Sequence, residues 1–286
     1  MCLIAFALNP NPFWRLVLAA NRDEYLDRPT APLAWWPDGI TAGGRDLRVG
    51  GSWMALSKTG RFAAVTNIRL GNKANEQTAA ADVNSVLQSR GSLVSKAVAS
   101  NVPNQDLLNQ LSDVGPCNLL WGDLSDRTPT MYFSSNQTTP TSIKTLDSSH
   151  CYGLSNADLD TSWPKTSGLK SDLLSAIAQH SLDTKGLSND LFSALSNAKQ
   201  AADNQLPATG VSLTMERTLS ARFIATSTYG TRSSSVILID HRSNVLLIER
   251  SWDHAAKRVD QLQLDQPMPY VERTMQFQLN GGQRLL

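Results

Sequence analysis

The sequence is poor in the residues and patterns that mark several common classes of protein. Its 286 residues contain three cysteines and four histidines, and no two cysteines have the CxxC spacing of a zinc or redox site. No run of like charges reaches five residues and the net charge is +1, so no surface for binding nucleic acid is indicated. We therefore expect neither a metal centre nor a nucleic-acid partner.

Long apolar runs are missing too. The first one, Cys2–Leu8, ends at Asn9 and has no basic segment before it, which excludes a signal peptide. No run approaches the roughly 18 apolar residues that a membrane-spanning helix needs. Together with the odd, low number of cysteines, these features predict a cytoplasmic protein without a membrane span.

Familiar catalytic strings are also absent. The sequence has no GxSxG, HExxH, P-loop or GxGxxG pattern. Its histidines stand at scattered positions and give no context for a histidine-dependent triad: His150, His180, His241 and His254. Any nucleophilic chemistry must therefore be sought elsewhere.

What the sequence does contain is a series of apolar strands around two helical blocks. The apolar patterns predict strands at residues 2–8, 15–20, 52–57, 61–68, 117–122, 130–133, 142–146, 151–154, 223–228, 235–240, 245–250 and 274–279. Helical spacing predicts helices within 79–112 and at 166–180 and 188–198. Because hairpins dominate, we expect an α+β fold in which two mainly antiparallel sheets pack face to face between helices. No linker or repeat divides residues 1–286, which predicts a single domain.

Two segments have no regular pattern. Residues 27–51 contain three prolines and five glycines and are expected to form a long irregular loop. Residues 199–210 are polar and are expected to form a second loop. Both loops are candidates for shaping a ligand pocket.

Cys2 is the candidate nucleophile. If Met1 is removed, Cys2 carries both a thiol and a free α-amine, whose ordinary pKa of about 7.7 to 8.0 suits a general base. The alternative is a small apolar residue that starts a core strand, as cysteine commonly does.

Four polar residues, Asn21 to Glu24, follow the second apolar strand. An arginine close to Cys2 would lower the pKa of its thiol, and a carboxylate would orient the α-amine. Because neighbouring strand residues point to opposite faces, Asn21 and Asp23 share one face of the strand, and Arg22 and Glu24 share the other. The alternative is a solvated turn.

Three further polar residues lie near strand ends. Asn67 ends the strand 61–68 and could donate to an oxyanion, and Asn156 is placed similarly after the strand 151–154. Arg232 precedes a very apolar strand and could hold a carboxylate or phosphate, or satisfy backbone carbonyls.

Five separated segments resemble the NRDE family, also called the transport and Golgi organisation protein 2 family. They run from Met1 to about Asp253 and read MCLIAFAL, LAANRDE, GGR…GGSW…TGRFAAVTNIR, YGLSNA and YGTRSSSVILID. That family looks like a member of the N-terminal nucleophile (Ntn) hydrolase fold, a four-layer αββα sandwich. A more distant similarity is to the cysteine Ntn amidases of the bile salt hydrolase and penicillin V acylase group.

The resemblance implies a role for each matching residue. Cys2 would be nucleophile and base, with Arg22 beside the thiol and Asp23 or Glu24 orienting the amine. Asn67 would supply the oxyanion hole, and Asn156 would hold the amine or the tetrahedral intermediate. The remaining polar residues of these segments are assigned to substrate binding: Asn21, Glu24, Arg69 and Arg232. Unlike the amidases, where the arginine and aspartate stand three positions apart, this chain has them contiguous.

Two functions of different classes follow from the resemblance. The first is an Ntn-type cysteine hydrolase that cleaves a C–N amide or thioester bond of a small amphipathic substrate and requires no cofactor. The second is a non-catalytic protein that binds and traffics haem, acyl-CoA or a lipid. Haem would then be a ligand without a CxxCH or Cys-Pro signal, and His150 with Cys151 would be weak candidate ligands.

Overall fold

The computed structural model describes residues 2–69, 89–99, 104–138, 141–255 and 268–280. The strands in these ranges are β1 (Cys2–Leu8), β2 (Trp14–Tyr25), β3 (Thr30–Trp35), β4 (Thr41–Asp46), β5 (Met54–Ser57), β6 (Arg61–Asn67), β7 (Cys117–Asp123), β8 (Thr130–Ser135), β9 (Lys144–Thr145), β10 (Cys151–Leu154), β11 (Tyr229–Asp240), β12 (Asn244–Trp252) and β13 (Tyr270–Gln278). The α-helices are α1 (Arg90–Val98), α2 (Asn104–Leu111), α3 (Pro164–Gln179), α4 (Thr184–Leu195) and α5 (Leu213–Ser220).

The described strands form two antiparallel sheets. The first sheet has the order β10-β1-β2-β11-β12-β13, and the second has the order β3-β4-β5-β6-β7-β8-β9. Strands from the two ends of the chain thus meet in the first sheet, where β2 pairs with β11 along most of its length. This pairing brings the end of β2 close to residues that lie about 200 positions later.

Three apolar clusters define four layers. The cluster between the sheets contains Phe6 and Leu18 from the first sheet and Leu56 and Phe62 from the second. The outer face of the first sheet packs on α3 and α4, and the outer face of the second packs on α1 and α2. Each fully buried leucine contributes about 1.5 to 3 kcal/mol to this packing. The predicted α+β sandwich, with two antiparallel sheets between helical layers, is therefore confirmed.

Strand β1 shows why its sequence is apolar on both faces. Ile4 and Phe6 point into the layer between the sheets, whereas Leu3 and Ala5 contact the helical layer. A strand covered on both sides has no solvated face and needs no polar alternation. The predicted burial of β1 and of the first part of β2 is confirmed.

The long loop predicted at residues 27–51 is wrong, because β3 and β4 occupy much of it. Pro32 is tolerated since β3 is an edge strand with a register shift between Ala31 and Ala34. Glycine is required at Gly44 because an added Cβ would lie 2.0 Å from the side chain of Trp53. Two of the residues that suggest a loop thus have other roles: Pro32 lies in an edge strand, and Gly44 allows close packing with Trp53.

Other predictions differ from the structure in smaller ways. Residues 223–228 form no strand but a single bridge between Ala225 and Gly230, and α5 is a helix that the sequence pattern does not predict. The strand predicted at 142–146 is only Lys144–Thr145, and the helix predicted at 188–198 begins at Thr184. Parts of the predicted helical block 79–112 lie outside the described residues. Among the helices described, none has the length and apolar character needed to cross a membrane.

Candidate functional site

Cys2 begins a row of side chains that crosses the inner face of the first sheet. It pairs with Arg22 on β2, which pairs with Ser233 on β11, which pairs with Ser251 on β12. Residues two positions away from Cys2 and Arg22, Ile4 and Ala20, belong to the cluster between the sheets. Because strand residues alternate, the row faces the second sheet.

The Cys2 thiol is enclosed but borders a cavity. The residue is 8% exposed, and burial raises the pKa of the thiol above its ordinary value. Its cavity measures about 230 Å³ including the mouth, and its walls include Arg22, Trp53, Met54 and Ser235. At neutral pH the thiol is therefore protonated and needs a base to become a nucleophile.

Arg22 projects into this cavity and is held on several sides. Its guanidinium carbon lies 4.3 Å from the centroid of the Trp53 ring. Nη1 donates to Thr30 Oγ1 at 3.2 Å, and Nη2 lies 3.9 Å from Glu24 Oε2. The second sheet, through Trp53, thus fixes a cation on the same face as the thiol.

Replacing Gly44 with alanine is expected to disturb this cation. The added Cβ would overlap the Trp53 ring, so the ring must move and Arg22 must lose its stacking partner. We expect a loss of about 1 to 3 kcal/mol in the free energy of unfolding, measured by denaturant titration. The matched control is Gly115→Ala, where the added Cβ would meet nothing closer than 3.6 Å. Equal losses in the two variants would contradict the role given to Gly44.

Asn21 lies on the opposite face of β2, toward the helices. Nδ2 donates to the backbone carbonyls of Leu195 at 2.9 Å and Arg222 at 2.7 Å, and Oδ1 accepts from Ser234 Oγ at 2.6 Å. The amide, assigned from sequence to substrate binding, is thus fully engaged within the protein. Its contacts tie the end of β2 to the end of α4.

Asp23 also lies on the helical face, as the predicted pairing with Asn21 requires. It is buried, and its Oδ1 accepts from Thr231 Oγ1 at 2.7 Å. Burial raises the pKa of the carboxyl, while the nearby Lys165 cation acts in the opposite direction. Asp23 follows the residue that pairs with Cys2. Besides burial, its negative charge acts to raise the pKa of the Cys2 thiol.

Lys165 is a buried cation that sequence analysis did not identify. It lies in the first turn of α3, and its Nζ is 3.5 Å from Asn156 Oδ1. Burial lowers the pKa of this lysine to about 8, although Asp23 and Cys2 act to raise it. The sequence carries one signal of this burial, since its spacing places Lys165 on the same helix face as Leu169, Leu173 and Ala176.

Arg69 and Glu216 extend this group of buried charges. Arg69 Nη1 donates to Glu216 Oε2 at 2.9 Å, and both side chains are buried. Glu216 Oε1 also accepts from the backbone nitrogen of Thr209 at 2.8 Å. The sequence pattern predicts no helix at α5, so Glu216 is not among the predicted site residues. Arg69, assigned to substrate binding, is held by an internal carboxylate.

Asn156 joins three elements next to Cys2. Its Nδ2 donates to the backbone carbonyl of Asn67 at 2.9 Å, and its own backbone carbonyl accepts from the Arg69 nitrogen at 2.9 Å. The neighbouring Ser155 Oγ donates to the backbone carbonyl of Cys2 at 3.1 Å. Asn67 therefore enters this network through its carbonyl, and these bonds fix the ends of β6 and β10 around Cys2.

The remaining two candidates, Glu24 and Arg232, contact backbone groups. Glu24 Oε1 accepts from the backbone nitrogen of Tyr25 at 2.9 Å. Arg232 Nη1 donates to the backbone carbonyls of Tyr25 at 2.9 Å and Arg28 at 3.0 Å. These bonds fit the alternative in which Arg232 satisfies backbone carbonyls, and its role in substrate binding stays a prediction.

The candidate haem ligands do not converge. His150 lies 3.5 Å from Asp160 at the surface, and its ring packs edge-on to Tyr152. Cys151 begins β10 and packs against the helical side of the first sheet. Burial raises the pKa of the Cys151 thiol to about 11. Neither residue borders the cavity next to Cys2.

Comparison with known proteins gives consistent sequence relatives. A family model described as "Transport and Golgi organisation 2" matches residues 1–254. The transport and Golgi organization protein 2 homolog of Bos taurus is 31% identical over 270 residues, covering 88% of this chain and 93% of that protein. The Homo sapiens homolog is 30% identical over 271 residues, with the same two coverages.

Solved structures give a more distant likeness. A C2A mutant of the conjugated bile acid hydrolase from Clostridium perfringens has a TM-score of 0.45 and 6% identity, covering 95% of this chain and 96% of that chain. The four-layer order of this chain follows from its own three apolar clusters.

Proposed function

The chain belongs to the Transport and Golgi organisation 2 family, and we propose that it is an N-terminal-cysteine hydrolase. It cleaves a C–N amide or thioester bond of a small amphipathic molecule, with Cys2 as nucleophile once Met1 has been removed. One observation carries the proposal. The Cys2 side chain borders a cavity between the sheets, with a buried arginine beside it on the same face.

The chemistry requires one amino acid to provide both nucleophile and base. The α-amine of Cys2 accepts the thiol proton, and Sγ forms a bond to the substrate carbonyl carbon. The C–N bond then breaks, and the leaving amine takes the proton. Water hydrolyses the acyl thioester, which releases the carboxylic acid and restores the thiol.

The surrounding residues support these steps from different sides. In this proposal Asp23 orients the amine, whereas Arg22, which pairs with Cys2, stabilises negative charge at the thiol. The Asn67 side-chain amide, at the end of β6, is the proposed oxyanion donor. Asn156 positions Asn67 through the bond to its backbone carbonyl.

A carrier function is the second candidate, favoured by the apolar walls of the space between the sheets. Without the open solvent at their mouths, two cavities there measure only about 10 Å³ each, far below the range of about 300 to 1,000 Å³ for ligand pockets. Among their described lining residues are a cysteine but no histidine.

The proposal is tested by intact mass and thiol alkylation. We expect mass spectrometry to show that Met1 is removed and iodoacetamide at neutral pH to label Cys2 first. Burial raises the pKa of all three thiols, to about 11 for Cys151 and about 12 for Cys117. Cys2 alone would have a free α-amine as a base beside its thiol, so the other two should react much more slowly. The control is a protein with an uncleaved extension before Cys2, which we expect to react about tenfold more slowly because the free amine is missing. Retained Met1, or equal labelling of the three cysteines, would overturn the proposal.

A further inference from the structure

Lys165 is a buried cation that forms no salt bridge with a described residue. It is 4% exposed, and its one hydrogen bond within the described part of the chain ends on Asn156 Oδ1 at 3.5 Å. An ammonium group has three donors, and 3.5 Å is long for such a bond. The protein thus replaces the hydration of this charge only in part, and the charge depends on carboxylates at longer range.

The contact between Lys165 and Asn156 sets the direction of the Asn156 amide. Oδ1 faces the lysine cation, while Nδ2 donates to the backbone carbonyl of Asn67 at 2.9 Å. The reverse direction would place an NH2 group against a cation and an oxygen against a carbonyl, and both contacts would be repulsive. Lys165 therefore holds the amide that positions Asn67.

Lys165 and Asp23 compensate each other's charge. Burial raises the pKa of the Asp23 carboxyl, and Lys165 is the charge that opposes this shift most strongly. Burial lowers the pKa of Lys165 to about 8, and Asp23 is the charge that acts most strongly to raise it. At neutral pH Lys165 is therefore mainly protonated, and Asp23 is the carboxylate that stabilises it most.

The charges around Cys2 balance when Lys165 is counted. The groups that act on Lys165 come from four parts of the fold: Asp23 of β2, Arg69 after β6, Cys2 of β1 and Glu216 of α5. Two ion pairs complete the set: Arg22 with Glu24, and Arg69 with Glu216. With Lys165 matched to Asp23, this set is neutral before the α-amine of Cys2 is included. Without Lys165, a protonated α-amine would take its place opposite Asp23, and such an amine accepts no proton from the thiol.

We propose that Lys165 is a positioning residue of the Cys2 site, which acts through Asp23 and Asn156. Its cation offsets the Asp23 carboxylate, so that the α-amine of Cys2 stays neutral and can accept the thiol proton. It also fixes the Asn156 amide behind the proposed oxyanion donor, Asn67. The inference rests on the proposed hydrolase function, which needs this amine as a base. It assigns Lys165 no contact with the substrate.

The test measures the ionisation of the Cys2 α-amine by NMR in the full chain, freed of Met1 by an aminopeptidase where necessary. Cysteine is labelled with carbon-13 at Cα, and the Cys2 signal is the one missing from Cys2→Ser. We expect a midpoint near the ordinary range of about 7.7 to 8.0 in the wild-type protein. In Lys165→Met the midpoint should rise by about one pH unit, because a positive charge near the amine is lost.

Two further variants separate the charge of Lys165 from its packing. Lys165→Arg keeps a cation and should keep the wild-type midpoint. Lys170→Met is the matched control on the same helix, since it removes a lysine whose Nζ lies 2.6 Å from Asp160. It should leave the ionisation of the Cys2 amine unchanged.

A double variant tests the charge balance itself. Asp23→Asn alone should lower the midpoint, because Lys165 then repels the protonated amine unopposed. Asp23→Asn combined with Lys165→Met should return it close to the wild-type value, as a coupled pair of charges requires. Since the double variant leaves neither charge of the pair buried alone, it provides the decisive comparison where a single variant does not fold.

The role of Lys165 would be overturned by an unchanged midpoint in Lys165→Met, by an equal rise in Lys165→Arg or Lys170→Met, or by a double variant far from the wild-type value. The midpoint is measured without substrate and without alkylation. Slow alkylation of Cys2 together with the expected shifts would therefore overturn the hydrolase and not the charge balance.

Discussion

Replacing Cys2 with serine is expected to abolish hydrolysis while leaving the protein folded. Loss of the thiolate nucleophile should reduce kcat/KM by about 10³-fold or more, because only binding and oxyanion stabilisation remain. Serine is close to cysteine in size, so the packing at the start of β1 changes little. The measurement is release of a fluorogenic amine or thiol from short-chain acyl substrates, with circular dichroism to verify folding.

The matched control is Cys151→Ser, on the strand next to β1. Its side chain packs toward the helices, away from the cavity, and its activity should remain within about twofold of wild type. Activity in Cys2→Ser close to that of the wild type would exclude Cys2 as the nucleophile. A carrier function, in contrast, would leave ligand binding in Cys2→Ser unchanged and show no turnover in the wild type.

Glu216→Gln is expected to produce the largest loss of stability among conservative substitutions in the site. It removes the carboxylate that lies 2.9 Å from Arg69, while the guanidinium stays buried. Breaking a buried ion pair by removing one partner costs about 3 to 5 kcal/mol. Denaturant unfolding followed by tryptophan fluorescence would measure the change.

An exposed ion pair involving the same helix provides the control. Arg217 of α5 lies 2.6 Å from Asp203, and both side chains are about half exposed. Asp203→Asn should therefore cost less than about 1 kcal/mol, as is usual for surface pairs. Similar losses in the two variants would mean that burial of the Arg69–Glu216 pair carries no special weight.

The central strands could be predicted from sequence because their signal is local. Seven consecutive apolar residues in β1, and the apolar start of β2, are typical of strands covered on both sides. The same strand geometry predicts that the Arg22 side chain lies on the opposite face from those of Asn21 and Asp23. Asn67 and Asn156 could be proposed because each stands where an apolar strand ends, although the bond between them could not.

The buried charges could not be predicted because their burial arises from distant segments. Lys165 and Glu216 belong to helices, where charged residues usually face water. They become buried only when folding brings Lys165 to Asn156 and Glu216 to Arg69. In β3 and β4 the sequence pattern is misleading, because proline and glycine usually indicate loops. Here Pro32 lies on an edge strand and Gly44 packs against Trp53.

The four residues Asn21 to Glu24 have two structural roles, and the face of β2 that each side chain occupies decides its role. Asn21 and Asp23 connect the strand to the helical layer, whereas Arg22 and Glu24 face the space beside Cys2. Since the period of a strand is two residues, inserting a single residue just before Asn21 would exchange the two faces. The amide would then enter the cavity, and the guanidinium would take the place of the Asp23 carboxylate beside Thr231. The order of these four residues is therefore as essential as their identity.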